Sequence, residues 1–225
     1  MITVPSTQFV GEESARVAFI CVNGILTNPG DAEGWTDRAV TWLNLRTAGK
    51  AEKFEYATGA LTRRLRQQWR AEAIARMASF YIAGGYQVVL IGHSNGCDLI
   101  GRVLSQLWPA KVRSAHLFAA ATDAAAFSHA LDEEQLGGLF LYGSAHDQAL
   151  RVAALSRRLF GWAGLGYGDL GRRPEIGGLL GRSAVLSHRD DTQGHGTWFE
   201  RGEPFERTMR LLLRHEFFIP APPLP

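Results

Sequence analysis

The chain has 225 residues, 46% hydrophobic and 20% charged, the balance of a soluble globular protein long enough to bury a full core. Its 24 Lys+Arg against 22 Asp+Glu give a formal net charge of +2, too small for a broad nucleic-acid footprint, so nucleic acid is not an expected partner. Two cysteines, Cys21 and Cys97, cannot make a disulfide framework and read as small buried thiols. No apolar run approaches the ~18 residues of a membrane helix. The opening MITVPSTQFVGEES lacks a basic stretch followed by an apolar one, so no stable membrane insertion is expected and the cytoplasm is the default compartment.

In chain order, RVAFICV (Arg16 to Val22) reads as a buried strand closed by Asn23-Gly24. A helix over Trp35 to Leu45 and a strand over Lys53 to Gly59 follow. A long helical stretch from Thr62 to Ala83 carries Leu65, Trp69, Ala73, Ile74, Met77, Phe80 and Tyr81, and Gly84-Gly85 ends it. QVVLIG (Gln87 to Gly92) is the clearest strand in the chain, and a helix from Asn95 to Leu107 follows at once, stopped by Pro109. The pattern continues with strand Ser114 to Ala120, helix Ala124 to Gln135, strand Leu139 to Gly143, helix Gln148 to Phe160, strand Ala184 to His188 and helix Pro204 to His215.

Strands alternating with helices in this way form βαβ units. The expected fold class is therefore α/β: a three-layer α/β/α sandwich around a mostly parallel sheet of about six strands. No linker divides the alternation, so residues 1–225 are expected to form one domain, with a core at about 16–215 and a proline-rich tail at 216–225. A Gly-rich stretch from Gly161 to Gly181 is too long for a routine connection. Its Leu165, Tyr167, Leu170, Leu179 and Leu180 could equally wall a pocket or flap and decorate a surface insertion.

Gly92-His93-Ser94-Asn95-Gly96 matches G-x-S-x-G. The pattern gains its meaning from context, because a strand directly precedes it and a helix directly follows it. A serine there sits on a tight strand-to-helix turn with its hydroxyl clear of the sheet. The glycines keep side chains out of the crowded turn, and the helix N-terminus favours the negative charge that develops during attack. The bland alternative is a serine that only caps a helix.

The elbow and the strand order resemble an α/β-hydrolase, within it a small lipase- or esterase-type serine hydrolase, over roughly Arg16 to His215. The chain departs from larger members in having little room for leading antiparallel strands and no lid domain, which implies a minimal fold. The family order of serine, acid and histidine implies Ser94 as nucleophile, Asp147 (in SAHD after the Leu139 to Gly143 strand) as acid, and His195 (in RDDTQGHGTWF after the last strand) as base. Asp123, Asp190, Asp191 and Asp169 remain competing acids. His93 reads as packing inside the elbow, and His146 has no assigned role. For the oxyanion hole, the resemblance implies the main-chain N–H groups of Asn95 and of Ile25, where Asn-Gly stands in place of the family's His-Gly.

Arg63, Arg64, Arg66 and Arg70 read as a solvated helix face rather than a phosphate or membrane patch. No H-E-x-x-H, paired C-x-x-C, carboxylate-rich calcium loop or strand-linked G-x-G-x-x-G is present, so neither a catalytic metal nor any other cofactor is expected. The expected activity is hydrolysis of a small-molecule ester through a covalent acyl-enzyme. Alternatives on the same triad are an acyltransferase, a thioesterase or an amidase, and outside catalysis a binding module on the same scaffold. Acyl length, natural substrate and oligomeric state are not written in the sequence.

Overall fold

The computed structural model describes residues 16–24, 34–56, 66–160, 168–173 and 178–218. Six strands alternate with helices: β1 (Val17–Val22), α1 (Trp35–Arg46), β2 (Lys50–Phe54), α2 (Gln67–Ala83), β3 (Gln87–His93), α3 (Gly96–Leu107) and β4 (Ser114–Phe118). α4 (Ala125–Asp132), β5 (Leu139–Gly143), α5 (Gln148–Phe160), β6 (Val185–Arg189) and α6 (Glu203–Phe218) complete the series, with a short 3₁₀ turn at Thr197–Phe199 before α6. The strands form one sheet in the order β2-β1-β3-β4-β5-β6, and every pairing is parallel. Parallel strands covered on both faces read as continuous apolar runs, which is why all six residues of β1 are buried.

The two-residue period of the strands sorts the core into two layers. Ala18, Ile20 and Val22 of β1 join Val88 and Leu90 of β3 under Ile74 and Ala78 of α2, Leu99 and Val103 of α3 and Phe127 of α4. Val17, Phe19 and Cys21 face the other way, with Val89 and Ile91, under Trp35 and Leu43 of α1 and Met209 and Leu212 of α6. Burial pushes the Cys21 thiol up to about 12 and the Cys97 thiol also well up, so both behave as inert core atoms. No described helix is long and apolar enough to cross a membrane.

Several boundaries differ from the sequence expectation. β2 starts at Lys50, not Lys53, because the Asn44 side chain of α1 pins the main chain of Ala51 through both its N–H and its C=O. Residues 57–59 of that expected strand, and 62–65 of the expected α2, lie outside the described residues, as do Arg63 and Arg64. β4 stops at Phe118 because Ala119 adopts φ 45° and turns the chain. α4 ends at Asp132, short of Gln135, with Glu134 at φ 51°. In the Gly-rich stretch, Leu170 and Leu179 belong to the core, with Leu170 also lining a small pocket beside Leu141 and His188; Leu180 is exposed, and Leu165 and Tyr167 lie outside the described residues. The Leu170 and Gly171 N–H groups bond to Thr122 and Ala120, stitching the segment to the end of β4.

Under β4 and β5 lies a buried polar cluster that anchors α6. Glu216, 3% exposed, accepts from Ser114 Oγ at 2.5 Å, from His116 Nε2 at 3.0 Å and from the Arg113 guanidinium. His116 Nδ1 meets Tyr142 Oη at 2.9 Å, and Tyr142 Oη meets His215 Nδ1 at 2.9 Å. Neutral imidazoles satisfy the chain if His215 donates to Tyr142, Tyr142 to His116, and His116 to Glu216. Burial alone would raise the Glu216 carboxyl, but the hydrogen bonds from His116, Ser114 and Arg113 outweigh it and hold it below its usual 4.5. A depressed carboxylate stabilises the fold above its unfolded value and loses that contribution as pH falls through the folded one. Glu216→Gln should therefore lose about 1–3 kcal/mol at pH 7, the cost of leaving buried donors mismatched. Chemical denaturation of both proteins from pH 7 to pH 3 should show the gap narrowing below about pH 4.5; a constant gap would remove the carboxylate from the explanation.

Candidate active site

The chain steps outward from β1 to β2, then returns across β1 to β3 and proceeds to β6. Strand order thus reverses between β1 and β3, and in open parallel sheets the crevice at the carboxyl ends of such a pair is where ligands bind. Ser94 stands there, directly after β3. Its φ of 55° is unusual for a residue with a Cβ and costs on the order of 1–3 kcal/mol. Three hydrogen bonds impose it: the Ser94 N–H donates to Phe118, and its carbonyl accepts from the N–H groups of Cys97 and Ala121.

Two glycines make close approaches beside the serine, and one of them, Gly96, is required by it. A Cβ on Gly96 would lie 2.5 Å from the Val22 carbonyl oxygen and 2.6 Å from that of Asn23, so only glycine lets the start of α3 pack against the end of β1. A Cβ on Gly24 would stand 3.0 Å from Ser94 Cβ, which places the Asn23-Gly24 turn directly beside the serine.

The structure brings Ser94, His195 and Asp147 together from three loops. Asp147, 1% exposed, follows β5 and uses both carboxylate oxygens. Oδ1 accepts the Leu150 N–H at 2.9 Å, capping the first turn of α5, and Oδ2 lies 2.8 Å from His195 Nδ1. Because the carboxylate can only accept, Nδ1 carries the imidazole proton. Nε2 is then bare and accepts from Ser94 Oγ at 2.9 Å. His195 is 26% exposed at its side chain, open enough to meet a ligand, while Ser94 and Asp147 are buried.

The competing acids sit elsewhere. Asp123 is 49% exposed and pairs with Arg157 on the surface. Asp190 bonds Thr192 and Gln193, Thr192 above all holding its carboxyl low; Asp191 is held low first by Arg189; Asp169 pairs with Arg172 and Arg173. The expected donor Ile25 lies outside the described residues. Asn95 occupies the N-cap position of α3 without a side-chain capping bond, and its main-chain N–H has no partner among the described residues, as the first turn of a helix leaves it.

His93 does pack within the elbow, edge-on to Trp35 and Phe199, but its Nε2 also lies 2.7 Å from the carbonyl oxygen of His195. Nothing in the sequence pairs residues 93 and 195, since that contact is made across the sheet edge. His146 is exposed, and His188 on β6 joins the ring cluster of Tyr142, Trp198 and His215. On the other flank of the serine, Asn95 Nδ2 donates to Tyr56 Oη at 3.0 Å and the buried Arg70 guanidinium lies 4.4 Å from the Tyr56 ring centre. Arg70 is thus not part of a solvated face.

No protein-family model matches the chain, and no curated protein matches it. Solved structures do. Esterase PE8 is 13% identical, matched over 90% of this chain and 94% of its own, with a TM-score of 0.58. The protein TT1662 of Thermus thermophilus is 14% identical over 92% of each chain, with a TM-score of 0.54. XC6422 of Xanthomonas campestris, described as an α/β serine hydrolase without lid, is 14% identical over 94% of this chain and 88% of its own, with a TM-score of 0.53. At these identities the likeness is one of fold: the described residues form a minimal α/β-hydrolase fold, with no lid domain among them.

Proposed function

We propose that this protein is a serine hydrolase of small carboxylic esters that works through a covalent acyl-enzyme. The observation that carries the reading is the continuous relay of 2.9 Å from Ser94 Oγ to His195 Nε2 and 2.8 Å from His195 Nδ1 to Asp147. A scaffold or binding module has no need of a strained serine aligned with an oriented base. The esterase among the structures of like fold supports the ester over other acyl substrates.

In this mechanism His195 Nε2 takes the Ser94 proton as Oγ attacks the ester carbonyl carbon. The buried Asp147 holds the ring in the Nδ1–H tautomer and stabilises the imidazolium that forms. The tetrahedral oxyanion is met by the Asn95 N–H at the start of α3, with Ile25, next in sequence after Asn23-Gly24, as the second donor of the proposal. Collapse expels the alcohol, which takes its proton from His195 Nε2 and leaves an acyl group on Ser94. Water enters and gives a proton to the same nitrogen as its oxygen attacks the acyl carbon; the second tetrahedral intermediate then collapses by breaking the bond to Ser94 Oγ, which takes the proton back from His195 Nε2 as the carboxylic acid leaves.

The test is hydrolysis of p-nitrophenyl esters from acetate to palmitate, with a burst of p-nitrophenol at high enzyme concentration. Activity peaking at one chain length with a stoichiometric burst is expected, and it would size the acyl pocket. Absence of turnover across the series, in protein that is folded, would sink the ester reading.

A further inference from the structure

The base comes from a loop whose local hydrogen bonds tie it mainly to itself. Gly194 N–H donates to Thr197 Oγ1 at 2.7 Å, Thr197 Oγ1 returns a bond to the Gly194 carbonyl at 3.0 Å, and Phe199 N–H reaches Gly196 at 3.4 Å. The bond from His93 crosses to the other side of the site. His93 immediately precedes Ser94 on β3, and its Nε2 lies 2.7 Å from the main-chain oxygen of His195 itself. A carbonyl only accepts, so His93 must present an N–H there.

The ring cannot easily swing away. It is edge-on to Trp35 of α1 at 6.3 Å and to Phe199 at 5.7 Å, and lies 5.2 Å from the His195 ring. Phe199 is itself stacked on Trp35 at 4.1 Å, and its carbonyl accepts from Arg38 at 2.6 Å. Burial first, and then the nearby His195, push the His93 imidazole down to about 4, so it stays neutral while His195 gains and loses its proton.

We infer that His93 is a positioning residue that locks the His195 loop to the strand bearing Ser94 through its Nε2–H to the His195 carbonyl oxygen. The inference rests on the hydrolase reading for its consequence, although not for its geometry. With the lock in place, base and nucleophile are carried on one rigid unit, and the 2.9 Å separation survives motion of the loop. Without it the imidazole samples positions off Oγ, and misplacement by about 1 Å can cost on the order of a hundredfold in rate. His93 packs among Trp35, Phe199 and His195, so the loss is expected in kcat rather than in KM.

The experiment compares His93→Phe, which keeps a ring but no donor, with His93→Gln, whose amide can reach the same carbonyl. Both are followed by ester kinetics and by the proton NMR signal of His195 Nδ1–H on Asp147. His93→Phe should lower kcat about 10–100-fold with KM within about twofold, and should broaden that signal. His93→Gln should recover most of both. Equal damage in the two variants, or a wild-type rate and signal in His93→Phe, would overturn the inference. Should His93→Phe not fold, the ¹⁵N shifts of His93 in the unaltered protein decide instead: a neutral ring protonated at Nε2 is expected, and one protonated at Nδ1 overturns the lock. The NMR readouts need no substrate, so a protein without esterase activity would sink the hydrolase reading while leaving this one separately measurable.

Discussion

Ser94→Ala should lower kcat for the preferred p-nitrophenyl ester about 10⁶-fold and abolish labelling by a fluorophosphonate, because loss of the nucleophile removes the whole covalent route. The substitution deletes a single oxygen, the one to which His195 Nε2 is hydrogen-bonded at 2.9 Å. Binding need not suffer: the expected change lies in kcat, with KM of the residual reaction similar or lower. Stability should stay level or rise slightly, since a buried polar atom in a strained turn serves chemistry more than folding. Thermal unfolding alongside the kinetics separates the two effects. If the variant kept even a few per cent of activity, the nucleophile would have to be sought elsewhere and the acyl-enzyme route would fall.

The parts of this molecule that could be read from the chain were those encoded locally. Ser94 announces itself because strand, glycine-flanked turn and helix are contiguous, and all three elements are present at Gln87–His93 and Gly96–Leu107. The α/β order was legible for a related reason: a strand buried on both faces spells an apolar run, as VAFICV does. Edge and ends were less legible. β2 is a half-exposed edge strand of sequence KAEKF whose start is fixed by Asn44, a tertiary contact no periodicity reports.

Within the site, Asp147 and His195 followed from chain order, but the choice among acids could not be closed in the sequence, where Asp123, Asp169, Asp190 and Asp191 are chemically equal. Folding makes them unequal: four acquire surface partners and one is buried against the imidazole. The least legible contact was His93 with His195, 102 positions apart and made through a main-chain oxygen, an atom every residue possesses. The same limit hid the anchoring of α6, where Glu216 meets Ser114 and His116 across a hundred residues.

Asp147→Asn provides the sharpest test of that assignment because it leaves nearly everything but one proton in place. Asn is as good a helix cap as Asp, so its oxygen can keep the 2.9 Å bond to the Leu150 N–H at the start of α5 and the fold should lose little. Its other group is then an NH₂ facing His195 Nδ1. Two donors cannot face each other, so the imidazole proton moves to Nε2, the nitrogen that must be bare to accept from Ser94. A ring in the wrong tautomer cannot act as general base, and the same exchange in a Ser-His-Asp protease costs about 10⁴ in kcat. A fall of that order is expected here, with KM and thermal stability nearly unchanged. Asp123→Asn is the matched control: its side chain is 49% exposed and pairs with Arg157, an exposed ion pair worth about 0–1 kcal/mol, and turnover should stay within about twofold. Reversal of the two results, with activity lost at Asp123 and kept at Asp147, would move the acid to the end of β4 and undo the relay proposed for this site.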